Sequence, residues 1–330
     1  MSRGFDWFEL DDSRSSGFDS GREIGSGSSS NWSEWLIHQN IRREEERTDN
    51  LDRQGRDRSG QERPLRPREE RLETILAERV RTRYFDREKE YSLRDSEIHL
   101  LSEVGKFRVV GVNDLAELAY NGDRTRVESD IESLLRQGLV RRTGIADPDH
   151  NRTQVITLTK AGHKLLSRGK VVPSSQAIYH GLKKPKEAFH DADLYRVYHK
   201  AADEIESRGG RIIRVRLDYE LKRELYARLA RASRDKSRDP KTLREEVAER
   251  FHFKTVSGKI PIPDLRIEYT KENDSQIQRV DLELATDHYR PQGLSEKARA
   301  GFQIYARRGE TDRLRRIRDD LDLTATILRL

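Results

Sequence analysis

Residues 123–166 read DRTRVESDIESLLRQGLVRRTGIADPDHNRTQVITLTKAGHKLL. Asp123 is placed to cap a helix in which Val127, Ile131, Leu134 and Leu135 recur at i, i+4, i+7 and i+8, the apolar stripe of a 3.6-residue period. Gly138 closes that helix. Leu139–Thr143 and Thr153–Leu158 then read as the two strands of a hairpin, joined by the polar turn Ala146–Arg152. Thr159–Leu166 opens another helix.

The pattern extends upstream. Ile98, Leu100 and Leu101 begin a helix that runs toward Phe107, and Asn113 is a candidate cap for a short helix carrying Leu115, Leu118 and Ala119, which stops at Asn121-Gly122. Three helices, a hairpin and a helix make the order of a winged helix-turn-helix, expected over residues 92–168. Within it, LLRQGLVRR (134–142) and ITLTKAGHKLL (156–166) resemble the third-helix exit and wing return of MarR-like modules. When such a helix enters the major groove, its N-terminal end meets base edges. Arg124, Thr125, Arg126, Ser129 and Arg136 are therefore the candidate DNA contacts on the helix, with Arg141 and Arg142 at the base of the wing and Asn151 and Arg152 at its tip. Arg reads guanine, and Ser or Thr reads either base type. Glu128, Asp130 and Glu132 share the helix and repel phosphate wherever they face a duplex, which keeps a protein-contact role open as an alternative.

Residues 169–189 read as a linker. Beyond them, Asp193–Glu206 is an amphipathic helix, and Ile213, Val215 and Leu217 alternate with Arg214 and Arg216 as a strand with one buried face. Polar helices are expected over 219–232 and 241–251, strands over Asp264–Tyr269 and Gln278–Leu284, helices over Ser295–Arg307 and Asp312–Asp319, and a closing strand over Thr324–Leu330. This order predicts a four-stranded mixed sheet with helices on its faces. Asp281 and Glu283, two apart on one strand, share a face. If Asp264 on the neighbouring strand joins them, three carboxylates gather. Such a cluster suits Mg²⁺, a hard cation able to activate water against a phosphodiester.

Here the strings PDLRIEY (263–269) and RVDLELATDHYRPQGLSEKARAGFQIY (279–305) resemble the PD-(D/E)xK nuclease fold and, within it, the replication-relaxation family of plasmids and other mobile elements. That resemblance implies a winged helix joined to a restriction-endonuclease-like α/β domain over 190–330. It places Asp281, Glu283, Thr286, Lys297 and Tyr305 at matching positions, with HDADL (190–194) similar to the family's entry to its first helix. Asp264, Asp281, Glu283 and Lys297 are thus the candidate catalytic residues, the three acids also the candidate metal ligands. The lysine expected two residues after the second acid is missing: counted from Glu283 that position is Ala285, and counted from Asp281 it is Glu283. Lys297 is the candidate substitute; the alternatives are Glu283 in that role, or a scaffold that has kept some acids.

Composition bounds the rest. The 330 residues are 33% hydrophobic and 38% charged, so part of the chain is expected to stay disordered. Residues 1–66, rich in Ser, Gly, Arg and Asp, read as that arm; Trp7, Phe8, Trp32 and Trp35 are among its aromatics. Residues 67–91 read as a charged helical linker. The excess of 65 Lys and Arg over 59 Asp and Glu permits a nucleic-acid partner without requiring one. With no cysteine, thiol catalysis and cysteine-held metals are excluded. No apolar run reaches a membrane-spanning length and no signal-peptide core opens the chain, so a cytoplasmic protein is expected. The reading on sequence is an α+β, multi-domain, double-stranded-DNA-binding protein of a mobile genetic element. A relaxase or replication protein and a second copy of the chain are its candidate partners. The alternatives are a Mg²⁺-dependent endonuclease and a protein-interaction module.

Overall fold

The computed structural model describes residues 80–86, 89–146, 152–169, 171–182, 187–235, 237–271, 274–286, 289–307, 311–320 and 327–330. The arm at 1–66, the segment 67–79 and Asn151 lie outside the described residues. The chain is α+β. Among the described residues, no helix is long and apolar enough to cross a membrane.

Strands β1 (Thr82–Asp86) and β2 (Lys89–Leu93) form an antiparallel ribbon with Tyr84 opposite Tyr91. This corrects the helical reading of 67–91 over its last residues. Thr82 and Tyr84 turn inward while Arg83 and Phe85 turn out, so the period is two rather than 3.6. Gln137 anchors the ribbon: its side chain accepts from the Ser92 amide at 3.1 Å and donates to the Ser92 carbonyl at 3.2 Å.

Helix α1 (Asp95–Phe107) leads through β3 (Val110–Gly111) to α2, which begins at Val112–Asp114 and continues as a π-helical turn, Leu115–Ala119. The cap expected at Asn113 falls instead on Gly111. Helix α3 (Arg124–Arg136) is capped by Asp123, whose carboxylate accepts from the Arg126 amide at 2.9 Å. Gly138, at φ 71°, turns the chain out of it. Strands β4 (Val140–Ala146) and β5 (Arg152–Leu158) pair antiparallel, and β3 pairs with the other edge of β5.

Helix α4 (Lys160–Arg168) shows why LTKAG has its spacing. Thr159 caps the helix by accepting from the Gly162 amide at 3.2 Å and donates to the Gly138 carbonyl at 2.7 Å. Gly162 packs so closely on the Leu139 carbonyl that a Cβ there would collide with its oxygen. The motif thus seals the end of α3 and the start of β4 against α4.

The second layer is a mixed sheet of five strands, one more than expected, in the order β10-β9-β8-β7-β6. Helix α5 (Ala188–Ser207) precedes β6 (Gly210–Leu217); α6 (Asp218–Ala232) and α7 (Pro240–Arg250) follow it. Strands β7 (Leu265–Lys271) and β8 (Asp274–Ala285) continue the sheet antiparallel. Then come α8 (Pro291–Ala300), β9 (Gln303–Ala306), α9 (Thr311–Asp320) and β10 (Ile327–Arg329), the last two strands parallel to their neighbours. The helix expected over Ser295–Arg307 is therefore two elements. Gly301, at φ 91°, ends α8, and Ile304, Tyr305 and Ala306 are then buried in β9, the strand not expected from the sequence.

One apolar cluster runs through both layers. Phe107, Leu134 and Leu158 belong to it, as do Tyr195 on α5 and Ile267 and Leu284 in the five-stranded sheet. Phe107 meets Tyr195 edge-on, ring centroids 5.1 Å apart. The segment read as a linker packs over this junction. The Gln176 side chain bonds both the amide and carbonyl of Val215, at 2.9 and 2.8 Å, covering part of the exposed edge of β6. Tyr179 donates its amide to Gly105 at 2.8 Å, and Gly181 donates to Leu158 at 2.9 Å.

Candidate functional site

Two places carry chemistry. The first lies across β7 and β8. Leu265 pairs with Leu282 in the antiparallel register, which sets Asp264 against Glu283 at the start of β7. The two acids cross-brace the strands: the Asp264 amide donates to Glu283 at 3.3 Å, and the Leu284 amide donates to Asp264 at 3.0 Å. Lys297 reaches in from α8, its Nζ 2.8 Å from Glu283 Oε1, and donates to the Ile262 carbonyl at 2.6 Å. Lys297, the candidate substitute for the missing motif lysine, thus reaches Glu283.

Two further residues complete the cluster. Tyr289 donates its hydroxyl to Glu283, and His190, in the first turn of α5, places Nε2 3.4 Å from Asp264 Oδ2. On sequence alone Tyr289 reads as a core or rim aromatic and His190 as a residue with no partner. The only signal for His190 is the HDADL string, and sequence separation hides what it meets.

Asp281 does not join the cluster, which corrects the three-carboxylate expectation. It shares a face with Glu283, but the register sets it opposite Arg266, which takes both its oxygens at 2.6 and 2.8 Å. Arg266 is 1% exposed. It also donates to the Phe251 carbonyl at 2.6 Å and lies 4.1 Å from the Phe253 ring centroid. Asp281 is therefore committed to a buried ion pair. Among the described residues, no group of three or more metal-ligating side chains is gathered. Tyr305, aligned by the resemblance with a helical tyrosine, is a strand residue packed in the core.

Burial and the neighbouring Asp264 push the Glu283 carboxyl up to about 7, against the pull of Lys297. Burial works against a charged His190, but the hydrogen bond and charge of Asp264, with Asp191 and Glu283 behind, outweigh it and hold His190 at about 9. Asp264 shifts the other way. Burial opposes its charge, and His190, the Leu284 amide and Lys297 together keep its carboxyl below the usual range. At neutral pH the site thus holds two cations, one firm carboxylate and one carboxylate near its titration point. Mg²⁺ commonly takes only one or two protein carboxylates and fills its shell with water and phosphate oxygens. Asp264 and Glu283 are enough in number to be its donors only if Glu283 gives up its bonds to Lys297 and Tyr289; Asp281 is held by Arg266.

The second place is the outer face of α3. Arg124, Thr125, Arg126, Ser129 and Arg136 are all exposed. Two of the three acids on the helix are engaged by other side chains. Asp130 is buried, accepts from the Tyr120 hydroxyl at 2.9 Å and lies 3.2 Å from Arg94. Glu128 is ion-paired with Arg142. Glu132 is exposed. Arg141 and Arg152 are exposed on β4 and β5, whereas Arg142 is half-buried and spent on Glu128.

The chain matches no protein-family model, no curated protein and no solved structure.

Proposed function

We propose that this chain is a double-stranded-DNA-binding protein whose residues 92–168 act as a winged helix-turn-helix. Helix α3 would enter the major groove and the β4–β5 hairpin would serve as the wing. The observation that carries the reading is the sorting of charge on α3: arginines outward, Asp130 inward, Glu128 neutralised by Arg142. The same helix with its acids outward would repel a duplex. The order of α1, β3, α2, α3 and two further antiparallel strands supports the winged-helix assignment. With the five-stranded layer behind it, the arrangement supports membership of the replication-relaxation family and a role in the replication, mobilisation or transcription of a mobile element.

A gel-shift titration tests this. Arg124→Ala, Arg126→Ala and Arg152→Ala should each weaken duplex binding and flatten its dependence on salt, by about one unit of log–log slope for each phosphate no longer neutralised. Unchanged binding in all three would remove α3 and the wing from the interface.

The opposition of Asp264 and Glu283 beside Lys297 favours a second reading, a Mg²⁺-dependent endonuclease. A bound Mg²⁺ would supply Lewis acidity and a nucleophilic water at neutral pH. The chain's part would be to hold the cation with Asp264 and Glu283 and to keep Lys297 close enough to balance charge. Supercoiled plasmid nicked in the presence of Mg²⁺ or Mn²⁺, with nicking abolished in Asp264→Asn, would establish it; no cleavage with either metal would end it.

A further inference from the structure

Neither reading uses the outer face of α6. Tyr219, Lys222, Arg223 and Tyr226 fall at i, i+3, i+4 and i+7, which places them on one stripe. All four are exposed, Tyr219 at 46% and Tyr226 at 57%. Large apolar side chains so far out are few among the described residues, and two of the five lie on this one stripe.

The acids of the helix do not oppose it. Glu220 turns inward to Arg214 and Arg216, and Glu224 is held by Arg216. Asp218 is ion-paired to Lys222, both partly exposed, so the contact is weak and exchangeable. The Tyr219 ring stands beside a buried arginine, Arg108, that is ion-paired with Asp191 at 3.2 Å. The Arg108 guanidinium lies 5.7 Å from the Tyr219 ring centroid and 6.0 Å from that of Tyr179.

We propose that this face binds single-stranded DNA, with bases stacked on Tyr219 and Tyr226 and the intervening phosphates on Lys222 and Arg223. Seven residues of helix separate the two rings by roughly 10 Å, room for a base on each with backbone between them. Stacking on a ring needs an open base face, which a single strand offers along its length and a duplex only at its ends. A protein partner would favour a dry apolar centre with its charges at the rim, whereas here the cations lie between the rings. The stripe starts at the carboxylate site, since the Asp218 amide donates to the Asp264 carbonyl at 2.8 Å. A strand laid along α6 therefore runs toward Asp264. The proposal stands apart from duplex binding by α3 and does not require the carboxylates to be catalytic.

The test is fluorescence anisotropy of the full chain with a labelled thymidine oligomer of about 20 nucleotides at low salt. Tyr219→Ala and Tyr226→Ala should each weaken binding roughly tenfold, and Tyr226→Phe should retain it because the stacking face is kept. Arg223→Ala should weaken binding and reduce the log–log salt slope by about 0.7. Arg124→Ala should leave the oligomer bound as before, and Tyr226→Ala should leave duplex affinity unchanged, which separates the two surfaces. No binding of the oligomer, wild-type affinity in both alanine variants, or equal loss in Tyr226→Phe and Tyr226→Ala would each overturn the proposal.

Discussion

The Lys297 ammonium lies 2.8 Å from Glu283, reaching it from helix α8 and not from the strand that carries the acid. Glu283 is 1% exposed and faces Asp264, so Lys297 supplies the positive charge nearest to a buried acid pair. His190 balances the pair from the Asp264 side.

Replacing that charge should be costly in a pH-dependent way. In Lys297→Met, the Glu283 carboxyl is deprived of the partner that lowers its pKa and should titrate above about 7. Above that pH the variant should be about 3 kcal/mol less stable than wild type, the cost of an uncompensated buried charge. As pH falls through it, Glu283 takes up a proton and the gap should close. Urea midpoints across this range decide it; a gap independent of pH would mean that Glu283 is not the group responsible.

His190 should give stability with the opposite partner and a clear window. Its folded pKa of about 9 lies above its ordinary 6.5, so the folded state holds the proton more tightly. The stabilisation is fully present below 6.5 and is lost as pH rises through about 9. The stability difference between wild type and His190→Asn should shrink over that interval in paired denaturation curves. A constant difference would show that the imidazole is not charged against Asp264.

Arg266 and Asp281 should behave as one unit. Asp281→Ala leaves a guanidinium at 1% exposure with only backbone carbonyls and the Phe253 ring for company, a loss of about 3 kcal/mol. Arg266→Met with Asp281→Ala should recover much of it, because the buried charge goes with its partner. Chemical denaturation of the four forms gives the coupling; a single-variant loss under about 0.5 kcal/mol would place Asp281 outside the fold's framework.

Gly162→Ala inverts the usual rule. Within a helix, alanine normally stabilises relative to glycine by up to about 1 kcal/mol. Here the added methyl meets the Leu139 carbonyl, which already accepts from Thr159 and cannot move freely. A loss of about 1–3 kcal/mol is expected, from overpacking. A raised melting temperature would show that α4 does not press on the α3–β4 junction.

Much of the helix and strand order is legible in the sequence because it rests on local rules. The Asp123 cap, the Gly138 exit and the apolar stripe of α3 act within a few residues, and the structure keeps them. The boundary at Gly301 escapes such rules because a continuous apolar-polar rhythm runs on through Phe302 to Tyr305, and periodicity over so short a run does not separate strand from helix. The ribbon at Thr82–Leu93 escapes them for a related reason: its charged residues read as helical, while its pairing depends on Gln137, far along the chain.

What the sequence by itself determined is the alphabet of the site: an acid at 264, acids at 281 and 283, a lysine at 297, and arginines on the outer positions of one helix. Alternation even places Asp281 and Glu283 on one face. Only the tertiary structure decided which of them meet. Strand register sets Asp264 against Glu283 and Asp281 against Arg266, and register is a long-range property of pairing and packing. The same holds for charge on α3, where Asp130 is buried against Tyr120 and Arg94 and Glu128 is ion-paired with Arg142. A side chain's type is local; whether its charge is spent or free depends on neighbours that only folding brings within a few ångströms.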